Sequence, residues 1–263
     1  MTDTLTRHAT TRVRHEPRRR LLTVQTVERL TPAMARITLG GDLADFLSAS
    51  YDDHVKVFFP LPGRDTPTIP PPDAPETAER SPGRDYTPRR YDRAANELEI
   101  EFVLHGEGPA ASWARAARPG DRLGLGGPRG SSLLPEGLDW LLLIGDETAL
   151  PAMARRLEEA GAGECIIALI ETGSADARID IATAANASIT WLCRESGDAA
   201  LPDAVAELIL PEGHGFAWAA GEYGSIRQVR QRLINVHGLD RQRIRAASYW
   251  KQGEAASHET LTD

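Results

Sequence analysis

The hydrophobic pattern of this chain changes near Asp139, and that change constrains the fold more than any other feature. Beyond Asp139, short apolar runs alternate with helical stretches, which is typical of an open α/β sheet with parallel strands. The predicted strands span 140–144, 164–170, 188–193, 215–220 and 244–248, and the predicted helices span 149–160, 203–209 and 224–236. Before Asp139, side chains alternate between apolar and polar at every second residue, as half-buried antiparallel strands do.

The first half of the chain predicts a small antiparallel barrel. Several short strands at this spacing are typical of a closed barrel, and they span 21–29, 36–39, 54–59, 84–91, 96–105 and 122–126. Pro109 opens a predicted helix over 110–117, at a first-turn position where its missing N–H costs nothing. We expect a disordered tail over 1–19, the barrel domain over 20–132, the α/β domain over 138–255 and a C-terminal tail over 256–263.

A long proline-rich segment interrupts the predicted barrel. Residues 60–83 hold eight prolines and almost no large apolar side chains. Because loops this long are unusual in compact domains, we interpret the segment as a mobile or functional surface excursion between two barrel strands. A linker between domains is the alternative.

Composition excludes several classes of protein. The net charge of −8 argues against binding to nucleic acid or to an anionic membrane. No window approaches the roughly 18 uninterrupted apolar residues of a membrane span. Cys165 and Cys193 each lie in an apolar run, as free buried thiols do, and the lack of a secretory leader predicts a reducing, cytoplasmic location. Scattered histidines and the absence of a C-x-x-C pattern indicate that there is no metal site. We expect a monomer.

The segment from Arg84 to Arg89 (Arg-Asp-Tyr-Thr-Pro-Arg) carries the most informative chemistry. On an extended strand, Arg84 and Tyr86 point to one face, and Asp85 and Thr87 point to the other. An arginine can bind a diphosphate through two hydrogen bonds, a tyrosine ring can lie against a heteroaromatic plane, and a threonine hydroxyl can bond a ring nitrogen. An edge strand with a solvated run of charges is the alternative interpretation.

Further motifs follow at predicted helix starts. In 105–113, small residues and the free N–H groups of a first helical turn form a seat for an anion. The glycines of 124–130 lack the spacing of a dinucleotide fingerprint, but they present Arg129 on a rigid Gly-Pro frame. The segments 145–151 and 220–222 each end an apolar strand and precede a helix, where open α/β sheets bind nucleotides. We predict that Thr148 caps the first of these helices.

These motifs, together with His54-Val55-Lys56 and Tyr249-Trp250-Lys251, resemble the siderophore-interacting family of ferredoxin-reductase-like flavoproteins. The motifs occur in the family's order over roughly residues 20–253. The resemblance implies an FAD-binding antiparallel barrel followed by an NAD(P)H-binding α/β domain, with the flavin in the cleft between them. It also implies a ferric-siderophore reductase, in which a hydride passes from NAD(P)H to FAD and single electrons then reduce chelated Fe(III), releasing Fe(II).

The resemblance also assigns roles to single residues. The implied FAD-binding residues are Arg84, Tyr86, Thr87, Arg89, His105, Gly108, Pro109, Ala110, Ser112 and Trp113. The implied NAD(P)H-binding residues are Asp146, Glu147, Thr148, Ala149, Gly221 and Glu222, although Asp146 and Glu147 can equally be partners of the helix dipole. The implied siderophore-binding residues are Lys56, Arg129 and Lys251, two of which are the only lysines in the chain. No side-chain acid or base is required, because the flavin carries the chemistry.

Three questions remain open at this stage. Related reductases carry a cysteine beside the glycine of the 220–222 segment; this chain has Gly221 without it, which fits the siderophore-interacting branch. The acceptor can instead be a quinone or a ferredoxin partner, or the protein can be a siderophore carrier with a vestigial flavin site. A 2′-phosphate can bond near 172–174 and Arg178, or those residues form a plain surface turn, so the sequence does not choose between NADH and NADPH.

Overall fold

The computed structural model describes residues 10–69, 79–253 and 259–261. The chain divides into two compact units, one formed by Arg12–Ser132 and the other chiefly by Leu133–Asp263. Each unit has its own hydrophobic core. The helices of the described residues are all too short or too polar to cross a membrane.

The N-terminal unit is an antiparallel sheet with one short helix. Its elements are β1 (Thr11–Arg14), β2 (Arg19–Thr31), β3 (Met34–Gly41), β4 (Val55–Phe58), β5 (Gly83–Tyr86), β6 (Arg90–Asp92), β7 (Glu97–Val103), α1 (Pro109–Ala116), β8 (Arg122–Gly126) and β9 (Gly130–Leu133). Seven strands form one sheet in the order β5-β4-β8-β2-β3-β7-β6, and β1 pairs with β9 separately. The pairs of the seven-stranded sheet are antiparallel.

Contacts between distant strands show that this sheet curls into a barrel. Phe59, directly after β4, has its ring centroid 6.3 Å from that of Phe102 in β7, although β8, β2 and β3 separate the two strands in the sheet. Along β7 the alternate residues Leu98, Ile100 and Phe102 are fully buried. The structure therefore confirms the strand that the alternation predicted and the face of it that is buried.

The expected single strand over 84–91 is broken in two. β5 and β6 lie at opposite edges of the sheet, and residues 87–89 connect them. Pro88 lies in this connection, where it lacks the N–H that a continuous ladder would require. The prediction of one strand was wrong for this reason.

The expected disordered tail over 1–19 was also wrong where it can be compared. Residues 11–14 form β1, which pairs with β9, and His15 follows it with its N–H donating to the carbonyl of Arg129 at 3.0 Å. The His15 ring bonds the Ser131 hydroxyl at 2.8 Å, and Arg18 pairs with Asp45 at 2.7 Å. The basic segment is therefore ordered by partners distant in sequence; residues 1–9 lie outside the described part of the chain.

The proline-rich segment connects two neighbouring strands of one sheet. β4 and β5 pair directly, which confirms a loop within the barrel rather than a linker between domains. Thr68 and Ser81 close its base, since the Ser81 N–H donates to the Thr68 carbonyl at 3.0 Å and the Thr68 N–H donates to the Ser81 hydroxyl at 2.9 Å. The expected mobility concerns mainly residues 70–78, which lie outside the described residues.

The C-terminal unit is the predicted α/β sheet. Its elements are β10 (Trp140–Gly145), α2 (Leu150–Glu159), β11 (Cys165–Thr172), β12 (Asn186–Cys193), α3 (Leu201–Ala206), β13 (Gly215–Glu222), α4 (Tyr223–Asn235), β14 (Ile244–Trp250) and β15 (Glu259–Thr260). The order is β12-β11-β10-β13-β14-β15. The first five strands are parallel and β15 is antiparallel, so part of the expected C-terminal tail forms an edge strand. All six residues of β10 are buried, as expected for a central parallel strand.

Candidate functional site

The register of β4 and β5 places the side chains of the first motif. Tyr86 lies opposite Val55 and Arg84 opposite Val57, and both valines are fully buried. Asp85 lies opposite Lys56 on the other face, where its carboxylate pairs with the Lys56 ammonium at 2.8 Å. The predicted division of the strand into two faces is thus confirmed for Arg84, Tyr86 and Asp85.

An aromatic cluster brings the first motif together with the second. The Tyr86 ring lies 4.5 Å from Phe102, and Trp113 of α1 lies 5.9 Å from the same ring. Phe59 contacts both Tyr86 and Trp113, at 6.4 and 5.8 Å between ring centroids. Burial raises the pKa of Tyr86 above its ordinary range, and the charge of Arg84 opposes that rise. Two motifs some 20 residues apart therefore share one aromatic platform.

The start of α1 is open to an anion. Gly108 is the N-cap residue, no side chain caps the helix, and no acidic residue lies in its first turn, which begins with Pro109. A Cβ at Gly106 or Gly108 would meet no atom within 4 Å. Ala110 is half-buried, so the first-turn amides lie beside an exposed surface. This arrangement fits the diphosphate of FAD, because free N–H groups and the helix dipole both favour negative charge there.

The remaining predicted FAD residues divide into exposed and buried groups. His105 and Ser112 are exposed, and the Ser112 hydroxyl makes a long 3.4 Å hydrogen bond to the Glu107 carbonyl. Thr87 and Arg89 are buried. The guanidinium of Arg89 lies 3.2 Å from the carboxylate of Glu101, whose side chain is 0% exposed. The geometry therefore supports a structural role for Arg89 rather than the predicted contact with a ligand.

At the carboxyl end of β10, the prediction that Thr148 caps α2 was wrong. The helix starts at Leu150 with Ala149 as its N-cap residue, and no side chain caps it. The Thr148 hydroxyl instead donates to the carboxylate of Asp146 at 2.5 Å, and the Thr148 N–H does so at 2.8 Å. A tight turn stands between strand and helix, so the hydroxyl is too early in the chain to reach the helical amides.

Asp146 is a buried side chain that connects three strand ends through hydrogen bonds. Its Oδ2 accepts the N–H of Glu222 at 2.9 Å and the indole N–H of Trp250 at 2.9 Å. A Cβ on Gly221, whose φ is +149°, would come within 2.6 Å of the same oxygen, so the close approach requires glycine. Burial raises the pKa of Asp146, and the hydrogen bonds from Thr148 and Trp250 oppose that rise. Asp146 supports the site and does not present itself to a ribose.

Glu147 points to a different group of residues. Its carboxylate pairs with Arg194 at 2.6 Å, and Arg194 also pairs with Glu171 at 2.7 Å. The sequence analysis missed Arg194 and Glu171. The available signal was positional, because Glu171 is the second-last residue of β11 and Arg194 directly follows β12, at the edge where parallel sheets bind nucleotides.

The three predicted cationic residues fall in both units. Lys56 lies opposite Gly126 at the end of β8, three residues before the exposed Arg129. Lys251 belongs to the C-terminal unit, where its ammonium lies 5.3 Å from the centroid of the Tyr223 ring. Within the described residues, no group of three or more His, Cys, Asp or Glu side chains is placed to hold a metal ion.

Comparisons with known proteins agree with this geometry. A family model described as "Siderophore-interacting FAD-binding domain" matches residues 23–132, and one described as "Siderophore-interacting protein" matches residues 138–253. A protein named NADPH-dependent ferric-chelate reductase, from Escherichia coli K12, is 38% identical over 248 residues, which cover 91% of this chain and 95% of that protein. A protein named ferric vibriobactin reductase ViuB, from Vibrio cholerae, is 36% identical over 237 residues, covering 86% of this chain and 88% of that one.

A solved structure extends the likeness to three dimensions. The crystal structure of a siderophore utilization protein from T. fusca superposes with a TM-score of 0.84 at 38% identity, covering 94% of this chain and 98% of that chain. The two matched domains follow one another in the same order as the two units described above. The chain therefore belongs to the siderophore-interacting protein family.

Proposed function

We propose that this protein is an FAD-dependent ferric-siderophore reductase that oxidises a reduced nicotinamide and releases Fe(II) from its chelator. One observation carries the proposal: the Arg84–Tyr86 strand and the uncapped start of α1 meet on one aromatic platform within a matched FAD-binding domain. Reductase names among relatives that align over most of the chain support the same activity.

The N-terminal unit would hold the flavin. Arg84 offers a charge-assisted fork to a phosphate, and the amides after Pro109, with the Ser112 hydroxyl, offer further donors. Tyr86 and Thr87 would contact the ring system. When bound, FAD supplies the redox chemistry, namely uptake of a two-electron hydride and release of single electrons. The side chains then need only to bind and orient, and no general acid or base is required.

The C-terminal unit would hold the nicotinamide dinucleotide at the carboxyl edge of its parallel sheet. The candidates Glu147, Ala149, Gly221 and Glu222 all lie at the ends of β10 and β13. The chain reverses its direction of strand addition between these two strands, which is where open α/β sheets bind their ligands. Asp146 keeps the two ends in place through its hydrogen bonds to Thr148 and Glu222.

The acceptor would be a ferric chelate attracted by local positive charge. Because the chain carries a net charge of −8, an anionic chelate needs local positive charge, for which the candidates are Lys56 and Arg129 in the N-terminal unit and Lys251 in the C-terminal unit. One hydride carries two electrons, so each nicotinamide reduces two ferric ions and releases one proton. Fe(II) is held weakly by chelators selected for Fe(III), which frees the metal. We further propose that the protein acts as a monomer in the cytoplasm, where reduced nicotinamides are formed.

The proposal is tested with the purified protein reconstituted with FAD. We expect the absorbance of oxidised flavin, its anaerobic bleaching by a reduced nicotinamide, and its return on adding a ferric siderophore with two Fe(II) formed per nicotinamide oxidised. A protein that binds no flavin would instead support the carrier alternative. Bleaching without chelate reduction, across a panel of catecholate and hydroxamate complexes, would support a quinone or protein acceptor.

A further inference from the structure

Three charged residues lie together at the edge of the sheet proposed to bind the nicotinamide dinucleotide. Glu147 follows β10, Glu171 is the second-last residue of β11 and Arg194 follows β12, so all three stand at the carboxyl ends of adjacent parallel strands. In doubly wound sheets the ribose of the adenosine half lies at the end of the second strand, where an acidic residue or an arginine decides between NAD and NADP. Here β11 is that strand.

The arginine at this edge is already paired. Arg194 donates through Nη2 to Glu147 at 2.6 Å and through Nη1 to Glu171 at 2.7 Å. Both carboxylates are fixed by backbone donors as well, because Glu147 accepts the N–H of Gly173 and Glu171 accepts the N–H of Leu201 at 3.2 Å. Nη1 and Nη2 of Arg194 thus each donate to a carboxylate that also accepts a backbone N–H.

The local charge opposes a second phosphate. Two carboxylates and one guanidinium leave this cluster with a charge of −1, and the adjoining segments add Asp176, Glu195 and Asp198 against Arg178 alone. A 2′-phosphate would bring about −1.5 to −2 charges at neutral pH. It would have to displace a glutamate from Arg194 to gain its own ion pair. A ribose 2′-hydroxyl, by contrast, is neutral and donates to a carboxylate.

We propose that the Glu147–Arg194–Glu171 cluster selects NADH over NADPH. This inference rests on the proposed function, because it assigns the donor of the same reaction. Glu171 and Glu147 accept hydrogen bonds from the adenosine ribose, and Arg194 holds the two carboxylates in place instead of receiving a phosphate. This preference is the reverse of the one in the name of the Escherichia coli relative, the NADPH-dependent ferric-chelate reductase.

The test measures both binding and turnover with the flavin-loaded protein. We expect kcat/KM for NADH to exceed that for NADPH by about tenfold or more, and 5′-AMP to bind more tightly than 2′,5′-ADP by a similar factor. Glu147→Gln and Glu171→Gln each free one side of Arg194 and remove one negative charge, so each should shift both ratios toward the 2′-phosphate by about fivefold or more. Glu195→Gln is the matched control: it removes one neighbouring negative charge without freeing Arg194 from Glu147 or Glu171, so its shift should be smaller than theirs.

The outcomes separate this inference from the proposed function. Preference for NADPH and 2′,5′-ADP in the wild-type protein overturns the inference, and so do equal shifts in the Glu195→Gln control. Tighter binding of 5′-AMP with no reduction of the flavin by either nicotinamide leaves the selectivity of the cluster supported and contradicts the reductase. Arg194→Ala should lower binding of 2′,5′-ADP further, because two carboxylates then stand unneutralised.

Discussion

The indole N–H of Trp250 donates to the carboxylate of Asp146 at 2.9 Å, across 104 residues of sequence. The same oxygen accepts the N–H of Glu222, so the ends of β10, β13 and β14 converge on one buried group. The sequence analysis treated these as three separate motifs. The hydrogen bonds show that residues of all three motifs share one buried carboxylate.

We therefore expect Asp146→Asn to destabilise the C-terminal unit by about 1 to 3 kcal/mol, because an amide faces donors with a donor of its own. Trp250→Phe removes a single donor and should cost less, about 1 kcal/mol. Urea unfolding followed by circular dichroism measures both, with hydrogen exchange assigning the loss to one unit. Equal stability of Asp146→Asn and the wild type would contradict the supporting role.

The pH dependence of stability should carry a signature of the same residue. Burial raises the pKa of Asp146 in the folded protein above its ordinary value of 3.8. At a pH between 3.8 and this raised pKa, the folded protein keeps a proton that the unfolded chain has lost. The contribution of Asp146 to stability is therefore greatest below pH 3.8 and falls as the pH rises through the raised pKa. Melting curves from pH 4 to 8 should show this fall in the wild type and not in Asp146→Asn.

Arg84→Ala should weaken FAD binding by roughly ten to a hundredfold without unfolding the barrel, since it removes a charge-assisted phosphate contact. Arg90→Ala is the matched control, because Arg90 is exposed and forms its ion pairs with Asp92 and Glu99. Tyr86→Phe is a cleaner test of the tyrosine than alanine, because the ring packs against the core. Flavin content after dialysis measures all three; full retention by Arg84→Ala would place the phosphates elsewhere.

Arg89→Ala should act on the fold of the barrel. Glu101 is buried between Arg89 and Arg36, and removing one partner of a buried ion pair costs about 3 to 5 kcal/mol. Because Arg36 still contacts Glu101 at 2.6 Å, we expect the lower end of that range. Thermal unfolding of the flavin-free protein measures it. Unchanged stability with lost flavin would restore the contact predicted from the sequence.

Substitutions of Lys56 and of Asp85, which form an ion pair, should change the KM for an anionic chelate in opposite directions. Lys56→Ala should raise the KM for a triply negative ferric catecholate by about threefold to tenfold at low salt. Asp85→Asn should lower this KM, because the Lys56 ammonium then loses the counter-charge of Asp85. A neutral ferric hydroxamate should respond much less to either change. Equal effects on the two chelates, or no loss of effect in high salt, would contradict a charge-based pocket.

The sequence predicted the strands that carry a clear hydrophobic pattern of their own. Alternation located β7, and the all-buried run of β10 located the central parallel strand. It failed where order depends on a partner far along the chain, as for β1, which is short, polar and exposed and pairs with β9. No local pattern reveals such a strand, because its stability comes from the partner.

The same limit applies to the candidate site. Tyr86 and Trp113 were found from their motifs, and the structure brings them together. The roles expected of Arg89 and Thr148 were not supported. Arg89 pairs with the buried carboxylate of Glu101, and the Thr148 hydroxyl donates to the buried carboxylate of Asp146. The pairing of Arg194 was missed, since its two glutamates lie 47 and 23 residues earlier.

The pairing of β2 with β8 has a consequence for how the chain folds. The two strands meet through partners such as Arg19 and Gly126, so the barrel cannot close until more than 100 further residues have been made. At about 5 to 20 residues per second, this leaves the edge of β2 unpaired for roughly 5 to 20 s during synthesis. In the α/β unit the corresponding wait is shorter, because β10 pairs with β13 through partners such as Trp140 and Gly215, which are 75 residues apart. The nascent chain would thus expose the Arg19–Thr23 edge of β2, and slow translation through β8 should favour aggregation over closure.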